Sequence, residues 1–209
     1  MTAIAATTTT AALTAVPASA APATWTVTPG GNITAINTKP LRAVNTDKGV
    51  AWVCPGSTAA GDLKSGSGLP GGGIATLTSA TFSGCAATGG FQVAMTANNL
   101  PWTLNTDSYD SSTGVTSGVL TGFQATMVLG NPASPQCTVT VGAPTNGPGT
   151  ISATYTNSTS RLALSGSDLK LQTAVGPGCG TLYQPGDSIR IQGEYALISP
   201  NGNQVITSP

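Results

Sequence analysis

Residues 100 to 114, LPWTLNTDSYDSSTG, gather most of the side chains in this chain that are equipped for chemistry: Trp102, Asn105, Asp107, Tyr109 and Asp110. Two carboxylates beside an aromatic ring suggest glycan cleavage, in which paired acids stand roughly 5 to 10 Å apart across a sugar bond. The rest of the sequence narrows the alternatives. Its 209 residues contain no histidine. That excludes a Ser-His-Asp or Cys-His arrangement, an imidazole metal ligand, and the side chain that normally titrates near neutrality. With the cysteines oxidised there is no thiolate nucleophile. Carboxylate or Ser-Lys chemistry remains, and carboxylate pairs are the workable option.

Alternation argues against a catalytic pair. In an extended chain Leu100, Trp102 and Leu104 share one face, and Asn105, Asp107 and Tyr109 share the other. Trp102 then belongs to the core. Asp110 opens the turn DSSTG, where a carboxylate caps backbone N–H groups. A structural hairpin is the favoured reading. A polar ligand patch of Asn105, Asp107 and Tyr109 is the second, and Asp107 acting with Asp110 or Glu194 the third. Asp47, Asp62, Asp168 and Asp187 all lie in turn-rich segments, as aspartate does for its own hydrogen-bonding reasons. Calcium would suit the oxygen ligands of 105 to 110, but the spacing lacks an EF-hand's central glycine and closing glutamate. No catalytic residue, metal or cofactor is assigned.

Only 7% of the residues are charged, seven basic and seven acidic, for a net charge of zero. Attraction to nucleic acid lacks its main driving force, and nucleic acid is excluded as a partner. The N-terminus, MTAIAATTTTAALTAVPASAAPATW, has the weakly apolar body and the small-residue Ala18-Ser19-Ala20 end of an export signal. No Lys or Arg precedes that body, so the true start is expected upstream. Residues 1–20 are read as signal peptide and 21–209 as one secreted β domain. No later stretch is apolar for long enough to cross a bilayer as a helix. The expected location is extracellular or at the cell envelope.

The elements that must position these residues are strands. Period-two rows run through Trp25 and Val27; Val50, Trp52 and Cys54; Phe91, Val93 and Met95; Phe123 to Leu129; Cys137 to Val141; Ile151 to Tyr155; and Ile189 to Leu197. Turn signals separate them. The pattern predicts an all-β fold, a single antiparallel sandwich or barrel of about ten short strands. The Gly-rich stretch 61–73 reads as a surface loop, lacking the Gly-Lys-Ser/Thr end of a phosphate cradle. Cys54, Cys85, Cys137 and Cys179 show no CxxC spacing and favour disulfides over zinc. Pairing Cys54 with Cys85 and Cys137 with Cys179 is predicted, because each pair closes a loop of two or three strands. One loop lies on each side of residue 110.

The signal-like start, GIATLTSATFSGC (73–85), LPWTLNTDSYDSSTGVTSG (100–118), ISATYTNST (151–159) and the closing VITSP together resemble a group of small secreted actinobacterial proteins. The resemblance implies export and a disulfide-bonded β domain, and carries over no catalytic residue. The expected function is non-enzymatic: a structural, adhesive or self-assembling β-sandwich, whose partners would be cell-wall glycan or other copies of itself through exposed strand edges. A carbohydrate-binding module is the first alternative. It requires exposed aromatics, for which Trp25, at the mature terminus, and Tyr183, in CGTLYQPGD, are the candidates. A carboxylate-dependent glycan hydrolase is the second.

Overall fold

The computed structural model describes residues 24–131 and 134–209, so the expected signal peptide lies outside the described residues. The described chain is antiparallel β structure throughout. The strands are β1 (Trp25–Thr28), β2 (Gly31–Asn45), β3 (Val50–Cys54), β4 (Gly56–Leu63), β5 (Gly66–Leu69), β6 (Ala75–Ser83), β7 (Ala86–Ala87) and β8 (Val93–Asn98). The second half adds β9 (Trp102–Asp110), β10 (Val115–Asn131), β11 (Ser134–Gly142), β12 (Gly149–Thr156), β13 (Arg161–Val175), β14 (Ser188–Ile198) and β15 (Val205–Thr207). The one helical turn among the described residues is a 3-10 turn at Pro177–Cys179. No helix is long and apolar enough to cross a membrane.

Strand pairing closes on itself twice. Going round β9, β10, β12, β13, β14, β2, β4, β6 and back to β9 gives a ring of eight strands. A ring of this size is just wide enough for side chains to fill. A second ring runs through β10, β11, β13, β14, β2, β3, β7 and β8. Its β7–β8 closure is a single bridge, Ala86 with Gln92. The rings share β2, β10, β13 and β14, which explains why strands expected to be short run to 17 residues in β10 and 15 in β2 and β13.

Each shared strand is irregular where it changes partners. The register of β10 slips between Thr121 and Phe123, at Gly122 with φ +87°. That of β13 slips between Gly166 and Leu169. Gly193 of β14 lies opposite Pro40 and Leu41 of β2, where register slips again. Glycine and proline inside a strand are the residues that bulges use, the first for its backbone freedom and the second because it has no N–H to give. What reads along the chain as punctuation is here the bend between two rings.

The alternating rows are buried as expected at Val50, Trp52 and Cys54, along Phe123 to Leu129, and along Ile151 to Tyr155. The two interiors merge into one apolar core. Each fully buried aliphatic or aromatic side chain there contributes about 1.5 to 3 kcal/mol. Phe91 departs from its row: it sits in the turn between β7 and β8 and is 58% exposed.

A three-stranded sheet, β15–β1–β5, covers the end of the first ring. The supposed surface loop 61–73 therefore contains a strand, since Gly66 and Leu69 pair with β1. Polar clamps join sheet to ring: Tyr155 Oη donates to Gln204 O at 2.8 Å, and Thr116 Oγ1 to Ile206 O at 3.2 Å. Asn157 grips Ile206 on both sides, donating to its carbonyl and accepting from its N–H, each at 2.9 Å. A side-chain amide thus stands in for a neighbouring strand.

Both disulfides form as predicted, Cys54–Cys85 and Cys137–Cys179. Although they fall on opposite sides of residue 110, both belong to the second ring. The two halves of the chain are not two units.

Candidate functional site

The hairpin 100–114 is built by β9 and β10, and a bulge rearranges its faces. Thr106 lies opposite Gly118, but Ser108 lies opposite Ser117, so Asp107 is an extra residue. A bulge of one residue reverses the alternation beyond it. Asp107 and Ser108 are both exposed, and Tyr109 turns back to pack against the core. Asn105, Asp107 and Tyr109 therefore do not share a face, which corrects the expected patch. Gly118 accommodates the bulge, since a Cβ there would come within 2.0 Å of Asn105 O.

Asn105 has a local task. Its Oδ1 accepts from Gly73 N at 2.8 Å and its Nδ2 donates to Thr121 Oγ1 at 3.1 Å, fastening the Gly-rich segment to the ring. Asp110 caps its own turn, accepting from Ser112 N, Ser112 Oγ and Thr113 Oγ1 at 2.7 to 2.9 Å. Those bonds, the Ser112 hydroxyl first, hold its carboxyl below the usual aspartate range. Trp102 is core, its ring 5.0 Å from that of Phe123 and its Nε1 donating to Asn98 O.

The other acids are largely committed as well. Asp187 is buried and accepts from Asn45 Nδ2 at 2.7 Å and Gln184 N at 3.0 Å. Asp47 accepts from Ser188 N at 2.7 Å, the main cause of its lowered pKa. Glu194 takes a hydrogen-bonded ion pair from Lys39 at 2.6 Å, and that bond is the largest cause of its own lowered pKa. The spacing Ser-x-x-Lys, expected before none of the four lysines, does occur once, at Ser167 to Lys170, which corrects that expectation. Lys170 Nζ instead donates to Ser188 Oγ at 2.8 Å. A lysine donating to a hydroxyl is not acting as its base. Among the described residues no group of three or more acids and cysteines is placed to hold a metal.

The two candidate sugar platforms are internal. Trp25 is 2% exposed, under the covering sheet, and Tyr183 is 5% exposed. Both rings are amphipathic surfaces that the core has taken up, which corrects the expectation of exposed aromatics. Tyr183 nevertheless stands at a concavity of the second ring. It stacks on Trp52 with centroids 5.4 Å apart, and burial raises its phenol pKa.

Above that stack lies a cleft of about 380 Å³. Three loops frame it: the β2–β3 turn with Lys48 and Gly49, the β7–β8 turn with Thr88 and Phe91, and the β13–β14 loop with Gly178 and Leu182. Val50, Leu129 and Tyr183 are its buried apolar residues. Phe91 and Leu182, 58% and 50% exposed, form its rim. Lys48 Nζ donates to Gln184 Oε1 at 3.0 Å and so links two of the loops. By contrast, the cavities touching the first ring's core are about 10 and 30 Å³, room for a water or two.

Sequence reasoning misses this cleft because its residues come from segments far apart in the chain. The available signal is weak: an aromatic, Phe91, directly after Gly89-Gly90, where a turn leaves a large ring without a strand to bury it. No family model, curated protein or solved structure matches the chain.

Proposed function

We propose that this is a non-enzymatic, secreted or envelope-associated protein of the small actinobacterial kind its motifs resemble, with a structural or adhesive role played by the loop end of its second ring. The observation that carries the reading is the apolar surface gathered there. Phe91, Leu182 and Val175 are among the few large apolar residues left exposed, and all three lie on or beside the loops of that end. Contiguous exposed apolar surface marks contact sites. Two disulfides suit an oxidising compartment outside the cytosol. Adhesion through faces is favoured over pairing through strand edges, since ring closure leaves only short edges, in β5 and β15 of the small sheet, along β8 and in the second half of β6.

Against catalysis stands the commitment of Asp47, Asp110, Asp187 and Glu194 to turns, loop contacts and an ion pair. Against a glycan platform stands the burial of all three tryptophans. The deciding experiment is co-sedimentation of oxidised residues 21–209 with peptidoglycan, chitin, cellulose and starch, with reducing ends assayed in the supernatant and sedimentation velocity run alongside. Retention on a surface or self-association, without sugar release, is the expected result. Release of sugar would overturn the non-enzymatic reading, and a strict monomer retained by nothing would overturn the adhesive one.

A further inference from the structure

We infer that the cleft above the Trp52–Tyr183 stack is a binding site for a small single-chain amphiphile with an anionic head, of the medium-chain carboxylate class. Three observations converge. The volume, about 380 Å³, falls in the small-ligand range of roughly 300 to 1,000 Å³. The apolar side chains Val50, Leu129 and Tyr183, with Phe91 and Leu182 at the rim, offer a chain-shaped apolar surface a way out of water.

Charge decides the head group. Among the described residues Lys48 is the one charged side chain lining the cleft, and no acid lines it. The adjacent Asp47 carboxylate is not part of the lining: it accepts from Ser188 N, although it also feels the Lys48 charge. The partner that Lys48 holds, Gln184 Oε1, is a neutral acceptor that a carboxylate can replace with a charge-assisted bond. A cationic amphiphile would meet only repulsion there. The buried phenol of Tyr183 stays neutral, since burial raises its pKa. The site rests on reading this end of the molecule as the binding end, but not on what surface the protein adheres to.

The test uses the oxidised protein titrated with hexanoate, octanoate and decanoate below their aggregation limits, with octan-1-ol and octyltrimethylammonium as uncharged and cationic probes. Trp52 stacks directly on Tyr183, whereas Trp25 and Trp102 belong to the covering sheet and the first ring, so fluorescence and calorimetry report together. Affinity should rise about fourfold per added methylene until the cleft is filled. The exposed pair Phe91→Ser with Leu182→Ser should fold normally and lose binding tenfold or more. Lys48→Gln should weaken octanoate about twofold to fivefold and leave octan-1-ol unchanged. The inference is overturned by the absence of saturation with any chain, by equal binding of the cation, or by full binding in the double variant. It is also overturned if Phe91→Ser abolishes a dimer that decanoate leaves intact, since a second copy would then be the occupant. Carboxylate binding without retention on any glycan, or the reverse, separates this inference from the adhesive reading.

Discussion

The two rings share four strands yet are held together differently. The first closes through continuous strand pairing, is covered by a three-stranded sheet and contains no cross-link among the described residues. The second closes between β7 and β8 through one bridge, carries the longest irregular segment, 176–187, and holds both disulfides. Cys85 immediately precedes that bridge, and Cys179 anchors the irregular segment to β11. Covalent links stand where hydrogen-bonded closure is thinnest. The same thinness leaves loops free to frame a cleft lined by buried apolar side chains, while the cavities touching the first ring's core are water-sized.

The most forceful way to break this contrast is to remove both disulfides with Ser at all four positions. Each loop closure is worth roughly 3 to 4 kcal/mol, so stability should fall by several kcal/mol. Amide exchange should rise first in β3, β7, β8 and β11 while β6, β9 and β12 stay protected. Uniform loss across both rings would show one cooperative unit and end the comparison. Next in size, Trp102→Ala in the first ring should cost about 3 to 5 kcal/mol and lower the denaturant midpoint without altering the disulfide state. A cost under 1 kcal/mol would mean that this ring's packing is not what holds it.

Two smaller changes sharpen the picture of the first ring. Gly118→Ala should cost about 1 to 3 kcal/mol, because its methyl meets the Asn105 carbonyl opposite the bulge. A neutral result in thermal unfolding would reject the bulge. Asn157→Ala removes the two hydrogen bonds that Asn157 makes to Ile206, leaving that of Thr116, and should cost about 1 to 3 kcal/mol, read as faster exchange in β15 and β1. The smallest effect is that of acid. Asp47, Asp110 and Glu194 have carboxyls lowered in the folded state, so the stability they add is present above their unfolded pKa values, near 3.8 for the aspartates and 4.5 for the glutamate. It is lost as pH falls through the lowered folded values. All three are on the surface and screened by salt, so a pH titration of the midpoint should show a shallow decline in acid that Asp110→Asn removes in part.

Much of the fold is legible along the chain because a strand writes its inner face every second residue. Val50, Trp52 and Cys54, or Ile151, Ala153 and Tyr155, need no neighbour to be recognised, and the disulfide pairing follows from loops that hold whole strands. That logic fails wherever one residue is inserted. The bulge at Asp107 sends Tyr109 inward and dissolves a patch drawn by parity. The irregularities at Gly122 and opposite Pro40 look like breaks but are bends in long strands, so strand number and length came out differently. Exposure also escaped local reading: Trp25 and Tyr183 lie in turn-rich or terminal segments yet are covered by elements distant in sequence, while Phe91 is left outside by its turn.

What the sequence by itself determined is therefore the class of object: an antiparallel β protein, cross-linked twice, nearly uncharged, with no histidine to carry a proton near neutrality. Alternation, composition and cysteine spacing are local or additive properties, and a linear chain records them completely. What the tertiary structure alone decided is that the strands close into two rings, that both disulfides stand on one of them, and that loops 46–49, 88–92 and 176–187 meet around a cleft. Those facts depend on which distant segments pair, and pairing is set by register and bulges, where a shift of one residue exchanges the inside of a strand for its outside.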